Sequence, residues 1–195
     1  MSTSAEDPGL KARSYLLERG CQAAAAHCDA VASEARRIAQ SHQLGAEADK
    51  AYAAGWLHDI SAVIPDAHRL ATARQWGVDV LPEEEEFPLL LHQKLSAVIA
   101  EKEFGIGDRD VLDAVGHHTT LRRCPGTVEK VVFLADKLAW DQPGETPHGE
   151  AVRRALQESL DEGVATYLDW VWQHREQMRV IHPWLREACG QFLRV

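Results

Sequence analysis

Long hydrophobic runs are missing from this 195-residue chain. Stretches such as Val131-Val132-Phe133-Leu134-Ala135 are far too short to cross a bilayer as a helix. The opening residues 1–10 are polar, with Glu6, Asp7 and Pro8, and lack the basic start and apolar centre of a signal peptide. Paired cysteines are absent too: Cys21, Cys28, Cys124 and Cys189 are scattered, with no C-x-x-C spacing, so disulfide frameworks and thiolate metal clips are not indicated. These absences together place a protein with reduced thiols in the cytoplasm and away from membranes. A basic excess is lacking as well. With 21 Lys and Arg against 30 Asp and Glu, the net charge of −9 argues against a chain that grips a nucleic-acid backbone. A small anionic substrate stays compatible, because bound metal charge can dominate a local site.

Strand-like alternation never persists, and no repeat or low-complexity block occurs. What remains is helical periodicity nearly throughout, with 45% hydrophobic residues, enough to bury a core without staples. The fold expected is all-α, a helical bundle forming a single domain over 1–195. Its chemistry-bearing core lies at about 20–140, with C-terminal helices at about 150–195 packed on it. The spacing predicts helices over residues 9–18, 21–42, 47–57, 65–76, 89–104, 108–115, 127–140, 150–177 and 183–193. Asp108 and Thr127 read as N-caps. The acidic run at 83–86 reads as a solvated cluster in a loop or first turn, and residues 141–149 as the clearest loop. Trp140, Trp170, Trp172 and Trp184 read as packing residues.

Polar residues on core-facing stripes carry the chemistry. Of ten histidines, His27 shares a face with Val31 and Ile38, and His58 follows Ala54 and Leu57. His92 leads on to Ser96 and Ile99, and His118 lies in line with Val111 and Val115. Asp136 sits within an apolar segment over residues 131–138. One such histidine alone is usually a hydrogen-bonded core residue. Carboxylates are harder to absorb, since burying one costs several kcal/mol unless it is paired or metal-bound. A metal pair explains all of them at once, using imidazole nitrogens and neutralising the acids. Successive helical residues do not share a face, so His58 and Asp59 can both serve such a site only where their helix ends.

The ordered set His27, Leu57-His58-Asp59-Ile60, Leu90-Leu91-His92, Gly116-His117-His118-Thr119-Thr120 and Ala135-Asp136-Lys137 resembles the HD-domain superfamily. More narrowly, the chain looks like the YqeK-type symmetrical diadenosine tetraphosphate hydrolases. That resemblance spans about residues 20–140. It implies an HD-domain bundle with a central dinuclear metal site, iron in most members, with Mn or another divalent ion as the alternative. His27, His58, Asp59 and Asp136 would hold one ion, and Asp59, His92 and His118 the other, with Asp59 bridging. His118 is implied as the ligand rather than His117, because it precedes the Thr-Thr pair.

The resemblance further implies hydrolysis of diadenosine tetraphosphate or a related dinucleoside polyphosphate. The residues themselves, beside the resemblance, suggest Asp59 and Lys137 as the catalytic groups and Thr119, Thr120, Lys137 and Arg122 as the substrate contacts. The pattern departs from the family after Asp59, where Ser61-Ala62-Val63 stand near a usual lysine, and after Asp136, where Lys137-Leu138 replace Glu-Pro. Another HD nucleotide phosphohydrolase, with specificity set around residues 61–65 and 140–149, is the first alternative. A non-catalytic nucleotide-binding module is the second. The C-terminal helices leave room for a homodimer, which nothing in the sequence requires.

Overall fold

The computed structural model describes residues 7–140, 144 and 146–193, so parts of the expected 141–149 loop lie outside the described residues. All regular structure among them is helical. The elements are α1 (Pro8–Glu18), α2 (Gln22–Ser41), α3 (Glu47–Leu57), α4 (Arg69–Gln75), α5 (Pro82–Glu86), α6 (His92–Lys102), α7 (Arg109–His117), α8 (Thr127–Leu138), α9 (Gly149–Ala155), α10 (Leu160–Gln173) and α11 (Pro183–Phe192). Short 3-10 turns at Ile60–Val63, Pro88–Leu91 and Arg175–Gln177 join some of them.

Local chemistry explains the boundaries. Asp7 accepts a hydrogen bond from the Gly9 amide at 2.9 Å, and Pro8 opens α1 without an amide to satisfy. Asp108 caps α7 through the Asp110 and Val111 amides. The helix expected across 150–177 is divided, because the Ser159 hydroxyl accepts from the Glu162 amide and starts α10 afresh. Thr127 is not the cap of α8; Gly126 holds that position, and its amide is bound by the Glu129 carboxylate at 2.8 Å.

The acidic run also differs from its expectation. Residues 82–86 form α5, and Glu84 is fully buried rather than solvated. Its carboxylate meets Lys94 at 2.7 Å, His182 at 3.3 Å and the Leu81 amide at 2.8 Å. Burial alone raises a carboxyl pKa, but these partners outweigh it and hold Glu84 below its usual range. A buried charge survives here only because it is fully paired.

Helices α2, α3, α7 and α8 form the centre, with α6 packed on α7 and α10 packed on α8, α9 and α11. Their apolar stripes meet in one core that includes Val31, Ile38, Leu57, Val115, Phe133, Leu134 and Leu168. Helices α2 and α3 approach tightly at Gly55, where a Cβ would lie 2.6 Å from the Ala32 Cα. That approach carries His27 on α2 towards the end of α3.

Candidate metal centre

Helix ends and buried stripes bring the expected ligands together. Helix α3 ends at Leu57, His58 is its C-cap, and Asp59 leaves the helix with φ −112°. The adjacent pair can therefore turn towards one point. His118 is likewise the C-cap of α7, and His92 opens α6 behind a 3-10 turn. The imidazoles of His27, His58, His118 and His92 follow one another in a row, with ring centroids 5.1, 4.8 and 4.9 Å apart.

Each end-of-helix histidine uses a carbonyl three residues back to fix its tautomer. Nδ1–H of His58 donates to the Gly55 carbonyl at 2.7 Å, that of His118 to Val115 at 2.8 Å, and that of His92 to Leu89 at 2.6 Å. The Gly55 and Val115 carbonyls lie in the last turns of α3 and α7, where backbone acceptors run short of intrahelical donors. With Nδ1 donating, Nε2 is left as a lone-pair donor to a cation.

Those nitrogens, together with His27 Nε2, converge on carboxylates. Asp136 Oδ1 lies 3.1 Å from His27 Nε2 and 3.6 Å from His58 Nε2. The two oxygens of Asp59 divide: Oδ2 lies 3.7 Å from His58 Nε2, while Oδ1 lies 3.5 Å from His92 Nε2 and 3.6 Å from His118 Nε2. Two groupings, His27 with His58 and Asp136, and His58 with Asp59 and His118, have the compactness needed to hold an ion. Other features fit that chemistry. His58 Nε2 is buried and has no hydrogen-bond partner. His92 Nε2 and His118 Nε2 stand 3.0 Å apart, a spacing at which two lone pairs repel unless a cation or proton lies between them.

Electrostatics keep the donors in the required forms. Burial pushes the Asp59 carboxyl up, yet in acid, where the surrounding imidazoles of His58, His92 and His118 become cationic, their attraction outweighs burial and holds the carboxyl well below the carboxylate range. About a third of the side chain, 31%, remains open to solvent. Burial likewise opposes ionisation of Asp136, and the Lys137 ammonium, His27 and His58 overcome it. Burial drives the His92 and His118 pKa values down, so both imidazoles are neutral near pH 7. Lys137 stays charged: burial disfavours the ammonium, but the Asp136 carboxylate, 2.6 Å away, outweighs it.

The other expected residues are placed unevenly. Thr119 Oγ1 lies 2.8 Å from His92 Nε2, against the ligand cluster. Thr120 is buried, and its hydroxyl is taken up by the Leu121 carbonyl at 3.0 Å and Gln93 Oε1 at 3.3 Å, which corrects its reading as an open substrate contact. Arg122 is corrected similarly. Its guanidinium is clamped to Glu129 at 2.7 and 2.9 Å and to Asp113 at 2.9 Å, so it ties α7 to α8 instead of offering a free cation. His117 joins that cluster, with Nδ1 3.2 Å from Glu129 and its ring 4.7 Å from Trp184.

Sequence reasoning missed Gln93 and His148. Gln93 is buried, and its Oε1 accepts from the Thr119 amide at 3.3 Å. The Nε2–H of His148 donates to the Lys137 carbonyl at 3.0 Å. Neither lies in a pattern that distinguishes it from an ordinary helix residue.

The Glu129 cluster makes the fold acid-sensitive. Burial raises the carboxyl pKa, but His117, Arg122 and the Gly126 amide bring it down to about 2. The unfolded chain therefore binds a proton more readily between about pH 4.5 and 2, and stability falls as pH drops through that window. Glu129→Gln is expected to cost on the order of 2 kcal/mol at pH 7 and to flatten the acid limb of the stability curve. Urea melts at pH 7 and pH 3 check this; equal losses at both values would rule out the charge as the cause.

The helical frame and its histidine/aspartate cluster define the class. Residues 24–141 match the HD domain family model, and the chain belongs to the HD domain family. Among particular relatives, it is 40% identical over 139 residues to a protein encoded in the pepC 5′ region of Lactococcus lactis subsp. cremoris, covering 71% of this chain and 70% of that one. It is 34% identical to the symmetrical bis(5'-nucleosyl)-tetraphosphatase of Staphylococcus aureus, over 63% of this chain and 60% of the relative. Its fold superposes on the crystal structure of a predicted HD superfamily hydrolase involved in NAD metabolism from Clostridium acetobutylicum. The TM-score is 0.84, with 25% identity, over 94% of this chain and 96% of that one. No helix among the described residues is long and apolar enough to cross a membrane.

Proposed function

We propose that this HD-family metal-dependent phosphohydrolase cleaves dinucleoside polyphosphates symmetrically, diadenosine tetraphosphate first among them, into nucleoside diphosphates. The division of the Asp59 carboxylate carries the reading: one oxygen faces His58, the other His92 and His118, as a bridging ligand requires. In this reading His27, His58, Asp59 and Asp136 hold one ion, and Asp59, His92 and His118 hold the second. The donors are nitrogen and oxygen with no thiolate, a set that favours iron or manganese over a structural zinc. Divalent ions held there supply the Lewis acidity that hydrolysis of a phosphoanhydride needs.

The chain's own groups then have distinct tasks. Lys137, charged and only 14% exposed, is paired with Asp136 at 2.6 Å and would offset phosphate charge once Asp136 holds an ion. Thr119 places its hydroxyl at the same edge, beside His92, where it would turn to a phosphate oxygen once His92 Nε2 holds an ion, and the buried Gln93 holds its backbone in place. The relatives named as symmetrical tetraphosphatases in Staphylococcus aureus and Bacillus subtilis support the substrate. Water adds across the central phosphoanhydride, its P–O bond breaks, and two diphosphates leave.

A substrate panel tests this with protein purified without chelator. Diadenosine tetraphosphate is expected to yield ADP as the sole nucleotide product, at a kcat/KM about 100-fold or more above that for AMP or ATP. Release of AMP with ATP, or turnover confined to mononucleotides, would replace this reading with another nucleotide phosphohydrolase. Bound metal with no turnover of any nucleotide would favour the regulatory-module reading.

A further inference from the structure

A cleft of about 350 Å³ opens beside the ligand cluster, and Thr119 and Lys137 form part of its lining. Both also touch the cluster itself, through His92 at 2.8 Å and Asp136 at 2.6 Å. The rest of the wall is of another character. Tyr167 and Trp170 on α10 and His174 at its C-cap recur at helical spacing, with Trp170 set 6.1 Å from Tyr167 and 4.6 Å from His174 at tilts of 31° and 32°. Met178 and Leu185 complete the apolar side, and Gln177 is the uncharged polar group there.

We infer that this cleft is a nucleobase subsite, receiving the ring of a nucleotide whose phosphates lie at the metal centre. The inference rests on the nucleotide reading above and adds where the nucleoside goes. Charge supports it. Among the described residues, Lys137 is the cleft's one lysine or arginine and stands at the cluster end, and no acidic side chain lines the remainder. A cleft meant for more phosphate would carry cations along its length. This one changes from cation and hydroxyl to aromatic rings, matching the change from phosphate to base along a nucleotide. Its volume also falls in the range of small-molecule sites, about 300–1,000 Å³.

The aromatic wall is braced. His148 packs on Tyr167 at 4.8 Å and on Trp170 at 4.9 Å while donating to the Lys137 carbonyl, so one imidazole ties the apolar wall to the phosphate-side lysine. Met178 is 37% exposed at the cleft, an apolar side chain left open where a ring can cover it. The wall residues of α10, the following turn and α11 lie beyond the HD match at 24–141. Base selection therefore sits on C-terminal helices outside the shared metal-binding core. Trp170 packs against the core as expected and also lines the cleft.

Calorimetric titration of the metal-loaded protein with ADP and with inorganic pyrophosphate tests this without turnover. Wild type is expected to bind ADP about tenfold or more tightly than pyrophosphate, within the range that base–aromatic stacking provides. Trp170→Leu should bring the two affinities within about twofold of each other and leave pyrophosphate binding unchanged. Met178→Ala, at an exposed position, should lower ADP affinity by about threefold or more, and it decides the matter should Trp170→Leu not fold. Equal binding of ADP and pyrophosphate by wild type, or full ADP preference in the folded variants, would overturn the subsite. Loss of the preference in the variants supports it even if the enzyme proves inactive on diadenosine tetraphosphate, since that result touches only the substrate reading.

Discussion

Asp59→Ala is expected to remove bound metal and hydrolysis together while leaving the helical fold intact. The carboxylate faces His58 through one oxygen and His92 and His118 through the other, so its loss weakens both halves of the site. Lewis acidity is worth several kcal/mol in the transition state, and activity should fall by about 10³-fold or more. Asp59 is partly exposed and packs little apolar surface, so far-UV circular dichroism should stay unchanged. Metal analysis and kinetics on the same preparation check the expectation. A folded Asp59→Ala variant that keeps its metal and its rate would sink the bridging assignment. Loss of activity with metal retained would instead make Asp59 a contact to the substrate or to water.

A second large effect is expected far from any substrate, at Gly55→Ala. The new Cβ would stand 2.6 Å from the Ala32 Cα and 2.9 Å from its amide nitrogen. Both are backbone atoms, so no side-chain rotation relieves the contact, and α2 and α3 must move apart. Opposing this, alanine is favoured over glycine within a helix by about 1 kcal/mol. Overpacking at a backbone contact costs more, about 3 kcal/mol or above, so the steric effect wins. Destabilisation of that size corresponds to a fall in Tm of about 5–10 °C. The metal site should loosen as well, because the Gly55 carbonyl accepts the His58 Nδ1–H and α2 carries His27. A Tm that rises would show that the helices do not approach as closely as described.

Several features of the site were legible in residue order alone. The histidines and Asp136 are polar groups on apolar stripes, and a helical period converts that pattern into a shared interior. Asp59 next to His58 demanded a helix end, and the chain does leave its helix there. Asp108 announced the start of α7 for an equally local reason, a side chain capping amides two and three residues on. Other features had no local signature. Arg122 was a loop cation until Asp113 and Glu129 closed on it, and Thr120 an open hydroxyl until it was buried against Gln93. Glu84 stood in a run of acids that seemed bound for solvent, and Lys94 and His182, far along the chain, drew it inside.

By itself, then, the sequence of His58-Asp59 and its distant partners determined an all-helical HD chain and which side chains could meet metal, because periodicity and capping act over a few residues. Tertiary structure alone decided how the Asp59 oxygens divide, which imidazole nitrogens are left to bind, which cations are already paired, and where Tyr167, Trp170 and His174 open a cleft. Those outcomes depend on contacts between helices, whose partners are chosen by packing and not by spacing along the chain.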